Sequence, residues 1–205
     1  MAQTQRYQHG KVDVTMPLAA VQQLPLPAQA ACVTGILVAL GAGTHVCSSV
    51  VAPALEAAAP SLFAFSRATW PLLGLTYVAA GVAHFSLHDE FCTMYPQRGA
   101  WGIWYLPGSA SFHVNWTGVA EIAGGLGVLL GATPLASSAP WLGPGAALGL
   151  YALTWAVTPA NVFMFTHNAP GPGPAGTVIP PAGHAVRFLL QIFLLTTLWG
   201  MANPV

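Results

Sequence analysis

Five polar side chains interrupt the long apolar stretches of this sequence: His84, Glu121, Asn161, Arg187 and Gln191. A glutamate and an arginine buried in an apolar medium are costly unless they pair, so we expect Glu121 and Arg187 to form an ion pair. An arginine in such a place positions an anion, and a histidine or glutamate beside it handles protons. The five residues therefore predict a cofactor-binding or redox-linked site. A structural network that fixes helix register would use the same residue types.

The helices that would carry these residues are predicted from five apolar segments, each near the length that crosses a hydrocarbon core of about 30 Å. They cover residues 28–52, 68–88, 114–132, 141–166 and 184–203. At the helical rise per residue, His84 and Glu121 lie roughly 6 Å and roughly 10 Å from the same side of the membrane. The other three residues fall at a similar depth, so we expect one polar cluster near one side of the bundle.

Composition indicates an all-α integral membrane helical bundle. Of 205 residues, 55% are hydrophobic and 5% are charged, whereas a soluble domain has about 25% charged residues. The net charge is zero and there is no run of basic residues, so the sequence lacks the clustered positive charge by which proteins contact nucleic-acid phosphates. Membrane lipids and other membrane-protein subunits are the expected partners.

Three regions are predicted along the chain. Residues 1–27 form a polar, mobile tail outside the membrane, residues 28–67 an added N-terminal transmembrane helix with its loop, and residues 68–205 a four-helix membrane domain. The aromatic segment 101–107 is expected at the depth of the lipid headgroups. The proline- and glycine-rich segment 169–176 is expected to be a loop. The distribution of Lys and Arg places the tail on the cytoplasmic side or its organellar equivalent, and thylakoid, mitochondrial inner and bacterial plasma membranes all stay open.

His45 and the cysteines are further candidates for cofactor or redox chemistry. His45 lies on the first span near the opposite side of the membrane, where it is either an ordinary helix contact or a ligand to the metal of a macrocycle. Cys32 and Cys47 are too far apart on one helix to form a disulfide. Cys32 and Cys92 fall on the same side, as a redox pair or as inert thiols.

His84 and His88 are four residues apart and share a helix face. Asp89, Glu90 and Cys92 follow directly. This spacing is compatible with a metal site, and equally with the solvated end of a helix.

Four short motifs resemble the DoxX-like family of small four-helix membrane proteins, over about residues 70–200. They are Gly81–Phe85, Glu121–Gly127, Pro159–Asn161 with Met164, and Arg187 with Gln191. The resemblance implies a four-helix fold whose characteristic polar positions are the five residues named above. Some relatives are membrane subunits of thiosulfate:quinone oxidoreductase, others accompany redox-enzyme maturation, and most have no assigned activity. Residues 1–67 depart from the family pattern.

The function predicted first is that of a non-catalytic accessory subunit of a larger electron-transfer or photosynthetic membrane complex. Such a subunit would pack against partners and hold a lipophilic cofactor, with quinone, chlorophyll, carotenoid and lipid as candidates. The alternative is a membrane subunit of a quinone-linked oxidoreductase that acts on a small sulfur compound or thiol. A small-solute transporter is a third hypothesis, which draws on the polar cluster and on Pro159.

Overall fold

The computed structural model of the chain describes residues 3–173 and 176–203, and these are mostly helical. An N-terminal β-hairpin is formed by β1 (Thr4–His9) and β2 (Val12–Pro17). The helices are α1 (Leu26–Val46), α2 (Ala52–Ala58), α3 (Pro60–Thr69), α4 (Leu73–Ser86), α5 (His88–Thr93), α6 (Ala110–Gly131), α7 (Leu142–His167) and α8 (Pro181–Ala202). The prediction of a helical bundle is confirmed, with the hairpin as an addition to it.

Three helical stretches in the described part of the chain are long and apolar enough to cross a membrane: Leu26–Ala58, α7 and α8. The first is 33 residues long, because a π-helical segment, Cys47–Val51, joins α1 to α2. In this stretch, and likewise in α8, the most apolar 18 residues are only 17% buried inside the protein. Apolar surface of this extent matches the hydrocarbon of a lipid bilayer.

The other two predicted spans are helical but do not reach the same length and apolarity. The span 68–88 contains α4, which has only 14 residues. The span 114–132 lies in α6, which has 22 residues but includes the polar Asn115 and Glu121. That these two segments also cross the membrane stays a prediction.

Helices α4 and α6 make the most extensive helix–helix contact in the described chain. A Cβ atom on Gly81 would lie 2.6 Å from the carbonyl oxygen of Gly118, and one on Gly74 would lie 2.5 Å from that of Gly125. These two glycine contacts bring the helix backbones together, as small residues do in membrane bundles.

Helix α6 also packs against α7, and α7 against α8. A core cluster lies where α4, α6, α7 and α8 meet; its residues are Tyr77, Val128, Ala147, Leu150, Leu153 and Leu198. A second cluster caps the bundle at the end where the hairpin lies, and it consists of Tyr7, Met16, Val33, Trp101, Val162, Phe163 and Ala169. Tyr7, Met16, Trp101 and Ala169 come from outside the long helices and close the bundle at this end against Val33 of α1 and against α7.

The prediction that the N-terminal segment is mobile is wrong for the residues that the structure describes, because the hairpin is docked on the bundle, while its position outside the membrane stays a prediction. Tyr7 and Met16 point into the capping cluster and are 2% and 1% exposed. The Tyr7 hydroxyl donates a 2.6 Å hydrogen bond to the carbonyl of His167, and Asn168 donates to the carbonyl of Pro17. Burial raises the pKa of Tyr7 well above its ordinary value, which keeps the hydroxyl a donor.

The aromatic segment 101–107 is partly buried inside the protein, and its position at headgroup depth stays a prediction. Trp101 is 1% exposed, packs edge-on against Phe163 with ring centroids 5.8 Å apart, and donates a 2.9 Å hydrogen bond from its indole to Thr166. It adopts φ +57°, which is rare for a bulky residue. Tyr105 and Leu106 are exposed. The predicted loop 169–176 is confirmed where the structure describes it; residues 174 and 175 lie outside the described residues.

We predict that Gly81→Ala destabilises the bundle by about 1–3 kcal/mol, because the added methyl group overpacks a backbone contact. Thermal unfolding in detergent, followed by circular dichroism, measures this. Gly149→Ala is the matched control, because a Cβ atom there meets nothing within 4 Å. Equal melting temperatures for the two variants would contradict the importance of the α4–α6 contact.

We predict that Tyr7→Phe loosens the hairpin, because the buried carbonyl of His167 then loses its donor. The cost of about 1–3 kcal/mol should make the amides of residues 4–17 exchange hydrogen roughly tenfold faster, as measured by mass spectrometry. Tyr105→Phe, at an exposed tyrosine, should leave exchange unchanged. Unchanged exchange in Tyr7→Phe would show that other contacts alone hold the hairpin.

Candidate functional site

A pocket of about 360 Å³ lies between α1, α7 and α8. Its wall is mostly apolar, with Ile36 and Leu40 from α1, Val162 and Phe165 from α7, and Phe188 from α8. The polar residues that line it are Thr158, Asn161, His184, Arg187 and Gln191. We name it the Arg187 pocket, because it combines one permanently charged side chain with an apolar wall.

Arg187 is held against α7 by two contacts. One guanidinium nitrogen donates to the side-chain oxygen of Asn161 at 2.5 Å, and the other lies 3.2 Å from the sulfur of Met164. Among residues 3–173 and 176–203, no carboxylate lies within 4.0 Å of Arg187. A guanidinium has five N–H donors, and a thioether is a weak acceptor. Arg187 therefore keeps donor capacity for a further acceptor.

Gln191 lies one turn further along α8 and extends the polar side of the pocket. Its side-chain amide donates to the Thr158 hydroxyl at 2.5 Å, and Thr158 donates to the backbone carbonyl of Thr154 at 2.8 Å. Pro159 lies inside α7 next to Thr158, and a proline there has no N–H to donate to the carbonyl one turn back. The pocket thus lies beside a locally weakened part of α7.

His84 and Glu121 form a second, separate polar site between α4 and α6. Their side chains are 10% and 9% exposed, and His84 Nδ1 lies 3.2 Å from Glu121 Oε2. The same nitrogen lies 2.9 Å from the carbonyl of Ala80, and Glu121 Oε2 has no hydrogen-bond partner among the described residues. The His84 ring stacks on Phe91 with centroids 4.0 Å apart. The imidazole and the carboxyl are therefore neighbours at 3.2 Å without a hydrogen bond between them.

The predicted ion pair between Glu121 and Arg187 is wrong, and so is the single polar cluster. Asn161, Arg187 and Gln191 lie together at the Arg187 pocket. His84 on α4 and Glu121 on α6 contact each other at a separate site. Depth along a helix can be read from sequence, but the direction in which a side chain points around the helix axis depends on packing. The α4–α6 glycine contacts turn Glu121 towards α4.

His45 does not belong to either site. It is exposed on α1, where its ring lies 3.4 Å from the hydroxyl of Ser49 on the next turn. Thr158 and His184 line the pocket but were not predicted as site residues. Thr158 lies three residues before Asn161 on the same helix face, which was the available signal, and His184 lies one turn before Arg187.

Comparison with known proteins gives a family for this chain. No curated protein and no solved structure matches it at a significant level. A family model described as Domain of unknown function (DUF8561) matches residues 73–202, which include α4 to α8 and the polar residues of both sites. The resemblance to DoxX-like proteins stays a prediction. Because the match covers more than half of the sequence, the chain belongs to the DUF8561 family.

Proposed function

We propose that this protein is a non-catalytic accessory subunit of a larger membrane complex and that it holds a lipophilic molecule in the Arg187 pocket. The observation that carries the proposal is the combination of Arg187, which has no carboxylate partner among the described residues, with an otherwise apolar pocket. An arginine in a membrane bundle is costly and marks a binding site by default. The ligand would supply the acceptors that the protein does not.

The shape and chemistry of the pocket favour an amphiphile with an oxygen-rich head. Its volume of about 360 Å³ falls at the small end of ligand sites, so it suits a headgroup and the first part of a chain. Arg187 and Gln191 would donate hydrogen bonds to carbonyl, carboxylate or phosphate oxygens. Phe165 and Phe188 would cover the apolar part. Of the four cofactor candidates, a quinone and an anionic lipid fit this description best.

The outer surface supports membership of a complex embedded in lipid. Val38, Val46, Val50 and Leu55 on the long N-terminal helix are exposed, which provides an apolar face for a partner subunit or for acyl chains. We propose further that this complex is one of electron transfer or photosynthesis. This part of the proposal rests on the sequence alone.

We further propose that α4 and α6 also cross the membrane, giving five passes. Both helices expose large apolar side chains to the outside; these are Leu75, Val82 and Phe85 on α4, and Val119, Leu126 and Leu130 on α6. Helix α3, which precedes α4 with a short 3₁₀ turn between them, would supply the remaining length. The loops that connect successive spans would then lie alternately on the two sides of the membrane.

Arg187→Gln should reduce the amount of co-purifying amphiphile at least about tenfold, which corresponds to about 1.4 kcal/mol of lost binding. The measurement is liquid chromatography and mass spectrometry of the organic extract of protein purified from its native membrane in mild detergent. Arg67→Gln is the control, since Arg67 lies away from the Arg187 pocket and faces Glu56 at 3.6 Å. A wild-type protein without a stoichiometric lipophilic molecule, or an Arg187→Gln variant that retains it, would contradict the proposal.

An accessory subunit should show no turnover by itself. Purified protein, supplied with a soluble quinone and with thiosulfate or a thiol as electron donor, should therefore not reduce the quinone above the rate of a protein-free blank. Quinone reduction that disappears in Arg187→Gln and persists in Arg67→Gln would instead support the quinone-linked oxidoreductase.

A further inference from the structure

Three metal-binding side chains converge outside the long helices, on the end of the bundle that the hairpin caps. His9 ends strand β1, while His88 and Cys92 lie one turn apart on α5. One donor atom from each of the three lies within 4.8 Å of the others. The Cys92 sulfur is 3.8 Å from Nδ1 of His88 and 3.9 Å from its Nε2.

The docking of the hairpin turn places His9 in this group. Gly10 has φ +51°, which suits the first position of a tight two-residue hairpin turn, and Lys11 donates its backbone N–H to the Asp89 carboxylate at 2.9 Å. A Cβ atom on Gly10 would lie 2.3 Å from that carboxylate, so a larger residue would displace the Asp89 side chain from this contact. The turn is thereby fixed against the first turn of α5.

Ser111 at the start of α6 joins the two sides of the cluster. Its hydroxyl lies 3.4 Å from Nε2 of His9 and 3.8 Å from the sulfur of Cys92. The rings of His9 and His88 have centroids 6.2 Å apart and are tilted by 51°, so they do not stack on each other. Cys92 is buried, whereas both histidines are half-buried, which leaves a path from solvent.

We propose that His9, His88 and Cys92 bind a transition-metal ion of the zinc class. Two imidazole nitrogens and one thiolate are a ligand set that zinc takes in proteins, with water in the fourth position. Tetrahedral bonds of about 2.0–2.3 Å put neighbouring donor atoms roughly 3.5 Å apart. The 3.8 Å between Cys92 and His88 is close to that value, and donor atoms that lie up to 4.8 Å apart would approach by up to about 1.3 Å through side-chain rotation when the ion binds. Binding replaces the thiol proton of Cys92, which leaves to solvent.

The ion would fasten the hairpin to the bundle. His9 belongs to the N-terminal hairpin, and the other two ligands belong to the segment that follows α4, so a shared metal would link parts of the chain about 80 residues apart and stabilise the docked state by mass action. This inference does not rest on the Arg187 pocket, because the two sites share no residue. Either proposal can therefore be contradicted by experiment while the other stands.

Cobalt titration of tag-free, chelator-treated full-length protein in detergent tests the metal site. We expect one Co²⁺ per chain, with the visible bands of tetrahedral cobalt and a near-ultraviolet thiolate charge-transfer band, and we expect Zn²⁺ to displace it. Cys92→Ser should remove the charge-transfer band, and His9→Ala should weaken binding at least about tenfold. Cys32→Ser and His45→Ala are the controls and should bind as the wild type does.

A second readout guards against variants that misfold. Zn²⁺ should slow hydrogen exchange of residues 4–17 in the wild type and in Cys32→Ser, but not in His9→Ala, whose helical circular dichroism should match the wild type. Absence of stoichiometric cobalt binding to the wild type would overturn the proposal. Equal binding by wild type, Cys92→Ser and His9→Ala would also overturn it, and would leave a hydrogen-bonded cluster only.

Discussion

The close approach of α4 and α6 is the constraint on which the rest of the bundle depends. Two glycine contacts, seven residues apart on each helix, bring the backbones together, and no larger side chain fits there without moving a helix. This approach places His84 against Glu121. It also sets the start of α6 beside α5, where Ser111 meets Cys92. The polar pair inside the bundle and the contact of Ser111 with Cys92 at its end thus both follow from this approach.

The division of the polar residues into two sites changes how the protein can work. A single cluster with Glu121 neutralising Arg187 would have been a self-contained structural pair. Instead, Arg187 contacts a neutral amide and a thioether on α7, and its charge is available to a ligand between α1, α7 and α8. The helix α1, which lies outside the part of the chain matched by the family model, supplies one wall of this pocket. The added N-terminal helix would therefore be part of the binding site as well as a surface for partners.

The sequence predicted the helices well and their mutual orientation poorly. Hydropathy and length locate α1, α7 and α8, because lipid-facing helices are apolar over a fixed length. They do not define the rotation of each helix about its axis, and the wrong Glu121–Arg187 pair follows from that. The hairpin was missed although Tyr7, Val14 and Met16 alternate with polar residues around Gly10, a pattern typical of paired strands. A short polar segment next to strongly apolar ones was interpreted as a tail. His9 could not be assigned to His88 and Cys92 without the hairpin.

A density map of the protein in lipid nanodiscs formed directly from its native membrane would test the central claim most directly. We expect density for a polar head within hydrogen-bonding distance of the Arg187 guanidinium, with an apolar extension between Phe165 and Phe188. A map in which protein side chains fill the pocket, or in which a carboxylate from a neighbouring subunit pairs with Arg187, would contradict it.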